Sequence, residues 1–148
     1  MPVRFKAVGR PGRSGQALVE VSLLLPWLVF SFIAAFDFGI YAYSLISTES
    51  AARTVAAYAS QSSAVAQNPT NACAYALGEL HDAPGVGGGV ATCSSPVQVT
   101  VTYRSPGAAG MNTVRVTVTY QTMNLIALPG LMAGSLSISR TVEMPIRG

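Results

Sequence analysis

Charge is scarce in this sequence. Asp, Glu, Lys and Arg together make up 10% of its 148 residues, against about 25% in ordinary soluble domains, while half of the chain is apolar and the mean hydropathy is +0.42. So little charge points to a membrane for part of the chain. Histidine occurs once and cysteine twice. A structural zinc site takes four ligands, so His81 between Cys73 and Cys93 falls short of one. There is no G-x-S-x-G elbow, and Gly87-Gly88-Gly89 lacks the following Lys and Ser/Thr of a phosphate-cradling loop. His81 and Asp82 are neighbours in sequence, which is not catalytic geometry. The chain therefore reads as non-enzymatic, without cofactor or metal. Nor does the net charge of +3 make a nucleic-acid face. Four of the nine basic residues (Arg4, Lys6, Arg10, Arg13) crowd into the first thirteen positions and the rest are scattered.

What is present is strongly segmented. Residues 1–15 hold three glycines and two prolines, which predicts a basic leader without regular structure. Residues 17–46 follow as thirty positions whose only charges are Glu20 and Asp37. As a helix they reach about 45 Å, beyond the roughly 30 Å of a hydrocarbon core, and basic residues before them hold the N-terminus in the cytoplasm. A cleavable secretory signal has an apolar stretch of only about 7–15 residues. The next twenty-one positions lack glycine and proline, so the helix is expected to continue beyond the membrane, with Ala52, Ala56, Ala59, Ser63 and Ala66 as a stripe of small side chains.

Residues 71–80 predict a short second helix and residues 81–93 a glycine-rich loop. The period then becomes two. Residues 97–103 and 113–120 alternate Val with Thr, Gln and Arg around a Pro- and Gly-containing turn, and residues 135–143 predict a third strand after a bend at Pro129-Gly130. Because two strands alone are marginal, three or more should lay an apolar face on the long helix. The expected class is α+β, helices first and sheet last, with a leader at 1–15, a membrane and assembly helix at 16–46 and an extracytoplasmic domain at 47–148.

The junction at residues 13–20, RSGQALVE, resembles the processing site of type IV prepilins, in which a basic leader ends in glycine and a glutamate is fifth in the mature chain. With AAR at residues 51–53, the first sixty residues resemble the TadE-like proteins, minor pilins or pseudopilins of the Flp/Tad pilus system. Two positions depart from the pattern: Val21 stands where Phe is common, and the second small-residue block reads AAY. The resemblance implies cleavage between Gly15 and Gln16 by a prepilin peptidase. It also implies that Glu20 pairs with the new amine of Gln16 on an adjacent subunit, and a role in pilus assembly serving adhesion and biofilm formation. The implied partners are the peptidase, other pilin subunits, membrane lipid and, indirectly, the assembly platform and secretion ATPase. An uncleaved, membrane-anchored binding domain in the inner membrane is the alternative.

Other residues keep two readings each. Asp37, inside the apolar run, either reaches headgroups or Tyr41 one turn on, or touches a neighbouring pilin together with the Ala35-x-x-x-Gly39 notch. Tyr41 and Tyr43 suit an interfacial belt, and Pro26 reads as a packing kink tolerated in lipid. Cys73 and Cys93, on the translocated side, form either a disulfide or part of a metal site with His81, and the ligand count favours the disulfide.

Overall fold

The computed structural model describes residues 13–87, 92–106, 110–123 and 135–147. The leader up to residue 12, residues 88–91 of the glycine-rich loop, part of the first hairpin turn and the Pro129-Gly130 bend lie outside the described residues. The element order is α1 (Arg13–Ala59), α2 (Ser63–Gln67), α3 (Ala72–Glu79), β1 (Val97–Arg104), β2 (Thr113–Gln121) and β3 (Ser137–Pro145). The class is α+β with the helices first, as the change of period predicts.

The chain divides into two units, Met1–Phe36 and Asp37–Gly148. In the first, α1 begins at Arg13. The leader was expected to stay non-helical through Gly15, yet its last residues are helical because no proline follows Pro11 until Pro26, and the apolar run propagates the helix backwards. Pro26 lies inside α1 without ending it, and Trp27 stands edge-on to Phe30 at 6.1 Å.

The second unit holds the core. Three antiparallel strands in the order β1-β2-β3 pair without a bulge, from Val97↔Tyr120↔Ile138 at one end to Arg104↔Thr113↔Pro145 at the other. Alternation places Val97, Val114, Val116, Val118, Tyr120 and Ile138 in one core with Ala51, Ala52, Val55, Ala56 and Ala59 of α1. Valine supplies the buried area, about 1.5–3 kcal/mol per fully buried side chain, whereas an alanine methyl contributes far less. Arg140 occupies the apolar-face position opposite Val118 yet stays exposed. A charge placed so on an edge strand discourages further strand pairing.

As expected, α1 continues past the apolar run, though not through the whole glycine- and proline-free stretch. The helix ends at Ala59, and α2 restarts at Ser63 with the Ser62 hydroxyl accepting from the Val65 amide at 3.3 Å. Serine side chains compete with helical hydrogen bonding: Ser60 Oγ donates to the Ala57 carbonyl, and the Ser60 carbonyl is taken by the Arg147 amide at 2.9 Å. The predicted small-residue stripe is accordingly split: Ala52, Ala56, Ala59 and Ala66 are buried, but Ser63 is exposed.

Cys73 and Cys93 form a disulfide that ties α3 to the approach to β1. Closing a loop of sequence separation 20 stabilises a fold by about 3 kcal/mol on chain-entropy grounds.

Contacts at both ends hold the sheet in place. The Tyr120 hydroxyl donates to the Pro84 carbonyl and lies beside the Ser44 hydroxyl. At the opposite end the Arg147 amide meets Ser60 and the Ile146 amide meets Asn112. Sixteen residue steps from Ser44 to Ser60 rise about 24 Å, and β2 from Thr113 to Tyr120 spans about 23 Å. Helix and strand therefore match in length.

Candidate functional site

The residues singled out at the N-terminal junction lie on the first turns of α1. Gly15, Gln16 and Glu20 are all exposed, and the Gln16 side-chain amide approaches a Glu20 carboxylate oxygen at 3.5 Å, one turn along. A Cβ on Gly15 would meet nothing within 4 Å. Packing and backbone strain therefore do not demand glycine there, and any requirement for it comes from something outside this chain's own fold.

Along the apolar run the usual rule of burial is inverted. Leu18, Leu23, Trp27, Phe32 and Phe38 are each about 70% exposed, and the helix Gly15–Ala59 is long and apolar enough to cross a membrane, its most apolar window wholly unburied. So many large side chains facing outward are stable only in lipid or against other helices.

Asp37, Ala35 and Gly39 do not share one face. Residues 35 and 39 lie one above the other and are exposed, and a Cβ on Gly39 would meet nothing. Asp37, about 200° round the helix from Ala35, is 4% exposed. The carboxylate therefore turns inward with Tyr41, Ser44 and Thr48, which follow it at spacings of three and four, while the small-residue notch opens the other way.

Residues 15–57 match the family model of TadE-like proteins. That stretch of the chain is similar to TadE-like proteins. No curated protein and no solved structure matches the chain significantly. The TadE-like segment begins at the glycine of the predicted junction and takes in Glu20, the apolar run and the buried Ala51, Ala52 and Ala56. The sheet lies beyond it.

Polar groups outside the TadE-like segment anchor the fold and were missed in the sequence. Glu79 of α3 accepts from Ser50 at 3.0 Å and from Thr54 at 3.2 Å, tying α3 to α1. On the sheet face away from the core, Thr117 meets Thr141 and Thr119 meets Ser139. Below them Glu143 accepts from Thr113 at 2.8 Å and from the Arg115 guanidinium at 2.9 and 3.2 Å. The hydrogen bonds from Arg115 and then Thr113 hold the Glu143 carboxyl below the usual carboxylate range. A carboxyl whose pKa is lowered by folding adds stability above its unfolded value, and that stability is lost as pH falls through its folded value. The urea midpoint of the wild-type chain should therefore drop from about pH 5 downward, and the Glu143→Gln variant should show a smaller drop over the same range. Equal acid sensitivity of the two would remove Glu143 as a contributor.

Among the described residues no group of three metal-ligating side chains comes together, and His81 pairs only with Asp82, at 2.9 Å on the surface.

Proposed function

We propose that this chain is a minor pilin or pseudopilin of a Flp/Tad pilus system, acting through assembly and without enzymatic activity. In this reading residues 1–15 are a leader, residues 16–46 cross the inner membrane with the N-terminus in the cytoplasm, and residues 47–148 form the extracytoplasmic domain. A prepilin peptidase hydrolyses the bond between Gly15 and Gln16 and leaves an ammonium on Gln16. The matured subunit then joins other pilin subunits at the assembly platform, driven indirectly by the secretion ATPase, and serves adhesion and biofilm formation. The observation that carries the reading is the TadE-like match starting at Gly15, a glycine that the chain's own packing does not require.

N-terminal sequencing of the protein from membranes of cells with an active prepilin peptidase tests this. The expected mature chain begins at Gln16, and Gly15→Val is expected to remain at precursor size. A wild-type chain that retains residues 1–15 under those conditions would favour the uncleaved, membrane-anchored binding domain instead.

A further inference from the structure

The bond assigned to the peptidase lies inside regular structure. Helix α1 begins at Arg13, ahead of Gly15, so the Gly15–Gln16 peptide belongs to its first turn. In the α-helical pattern the carbonyls of residues 13–16 accept from the amides of residues 17–20, and the Gly15 carbonyl is taken by Val19. Hydrolysis needs a water within about 3–3.5 Å of that carbonyl carbon and aligned with it. A cleft that grips an extended peptide does so through main-chain hydrogen bonds, which a carbonyl already bonded within a helix does not offer. The wound turn is therefore a poor substrate.

That turn is weakly held. It contains no acidic residue, although carboxylates stabilise a helix N-terminus, and it starts at an arginine, whose charge the helix dipole disfavours at that end. Glycine is less favourable than alanine within a helix by the equivalent of about 4- to 5-fold in an equilibrium constant. The space beside Gly15 is open, so the fold itself would accept the better helix former. From residue 17 the balance reverses. Ala17, Leu18 and Leu23–Leu25 are strong helix formers, and in lipid an amide without its helical partner is costly. Opening from the end thus stops at the junction, and Gly15–Gln16 is the last peptide bond ahead of the part that stays wound.

We propose that local unwinding of residues 13–16 controls maturation, with glycine at position 15 favouring the open turn and alanine at position 17 the closed one. The proposal rests on the prepilin reading above. On the opened turn water adds to the Gly15 carbonyl carbon and the bond to Gln16 breaks, leaving a carboxylate on Gly15 and an ammonium on Gln16. Valine at position 15 tests bulk, because its helix propensity lies nearer glycine's than alanine's. Exchanges between alanine and glycine test winding with the smallest change in bulk.

The full-length precursor in detergent micelles is incubated with a purified prepilin peptidase, and kcat/KM is taken from the loss of precursor. Hydrogen exchange at the Leu18 and Val19 amides, followed by NMR, reports the opening itself. Gly15→Ala is expected to be cut about 4- to 5-fold more slowly, with exchange slowed alike. Ala17→Gly should be cut a few-fold faster with faster exchange, and the double variant should return close to wild type on both measures. Faster exchange in Ala17→Gly without faster cleavage overturns the proposal, as does exchange that neither substitution alters. A double variant as slow as Gly15→Ala also overturns it and assigns the glycine to a tight pocket of the peptidase. In each of these cases cleavage at Gly15–Gln16 persists and the prepilin reading stands, whereas a wild-type precursor that is never cut rejects both.

Discussion

Replacing Tyr120 by alanine is expected to lower the stability of the folded unit by about 3–5 kcal/mol, the range for removing a large aromatic side chain from a packed core. Tyr120 has no exposed surface and is the largest fully buried side chain in the core. Its hydroxyl is the donor that satisfies the Pro84 carbonyl, and burial pushes its phenol pKa up against the opposing effect of Ser44. Domains of this size hold only about 5–15 kcal/mol in total, so the alanine variant should be unfolded or close to it. Tyr120→Phe keeps the ring and leaves the Pro84 carbonyl without its donor, a loss of about 1–3 kcal/mol. Urea titration of both variants in detergent, followed by the circular dichroism of the sheet, separates the two contributions. An alanine variant within about 1 kcal/mol of wild type would mean that the core collapses around the gap, contrary to the behaviour of close-packed interiors.

The sheet was legible because its signal is local and redundant. Val99, Val101 and Tyr103 on one face alternate with Gln98, Thr100 and Thr102 on the other, and a slip of one residue would bury the threonines and expose the valines. The exposed apolar half of α1 was legible for a similar reason, since thirty positions with Glu20 and Asp37 as their only charges stand out in the sequence itself. The end of α1 was not. Residues 47–67 contain neither glycine nor proline, and the break at Ser60 depends on Arg147, which lies far away in sequence and takes the Ser60 carbonyl. The inward turn of Asp37 was also hidden, because α1 reverses the expectation that large apolar residues face inward. A signal did exist: Asp37, Tyr41, Ser44, Thr48 and Ala52 recur at spacings of three and four and run straight into the buried alanines. The Glu143 cluster needed the register Arg115↔Glu143, which follows from a hairpin connection whose length does not determine it.

Glu20→Ala is expected to be processed like wild type and then to be nearly absent from sheared pili. In the isolated chain the only hydrogen-bond neighbour of the Glu20 carboxylate among the described residues is the Gln16 amide at 3.5 Å, and the carboxylate is exposed on an apolar helix. A carboxylate costs about 2.5–3.5 kcal/mol at mid-bilayer, so Glu20 either stays at the cytoplasmic edge or, drawn into a bundle of such helices, takes a cation as partner. In the proposed function, that cation is the ammonium that cleavage would leave on Gln16 of a neighbouring subunit. Removing one member of a desolvated pair strands the other, a penalty of about 3–5 kcal/mol, which lowers the docking equilibrium by about 100-fold or more. Immunoblots of the membrane fraction should show mature-sized Glu20→Ala protein at wild-type abundance, and blots of the sheared fraction should show almost none. Glu20→Gln sharpens the test, since it preserves size and hydrogen bonding and removes only the charge. Failure of both variants assigns docking to the ion pair, while normal incorporation of Glu20→Gln would assign it to shape and hydrogen bonding, leaving the new ammonium without a role in assembly.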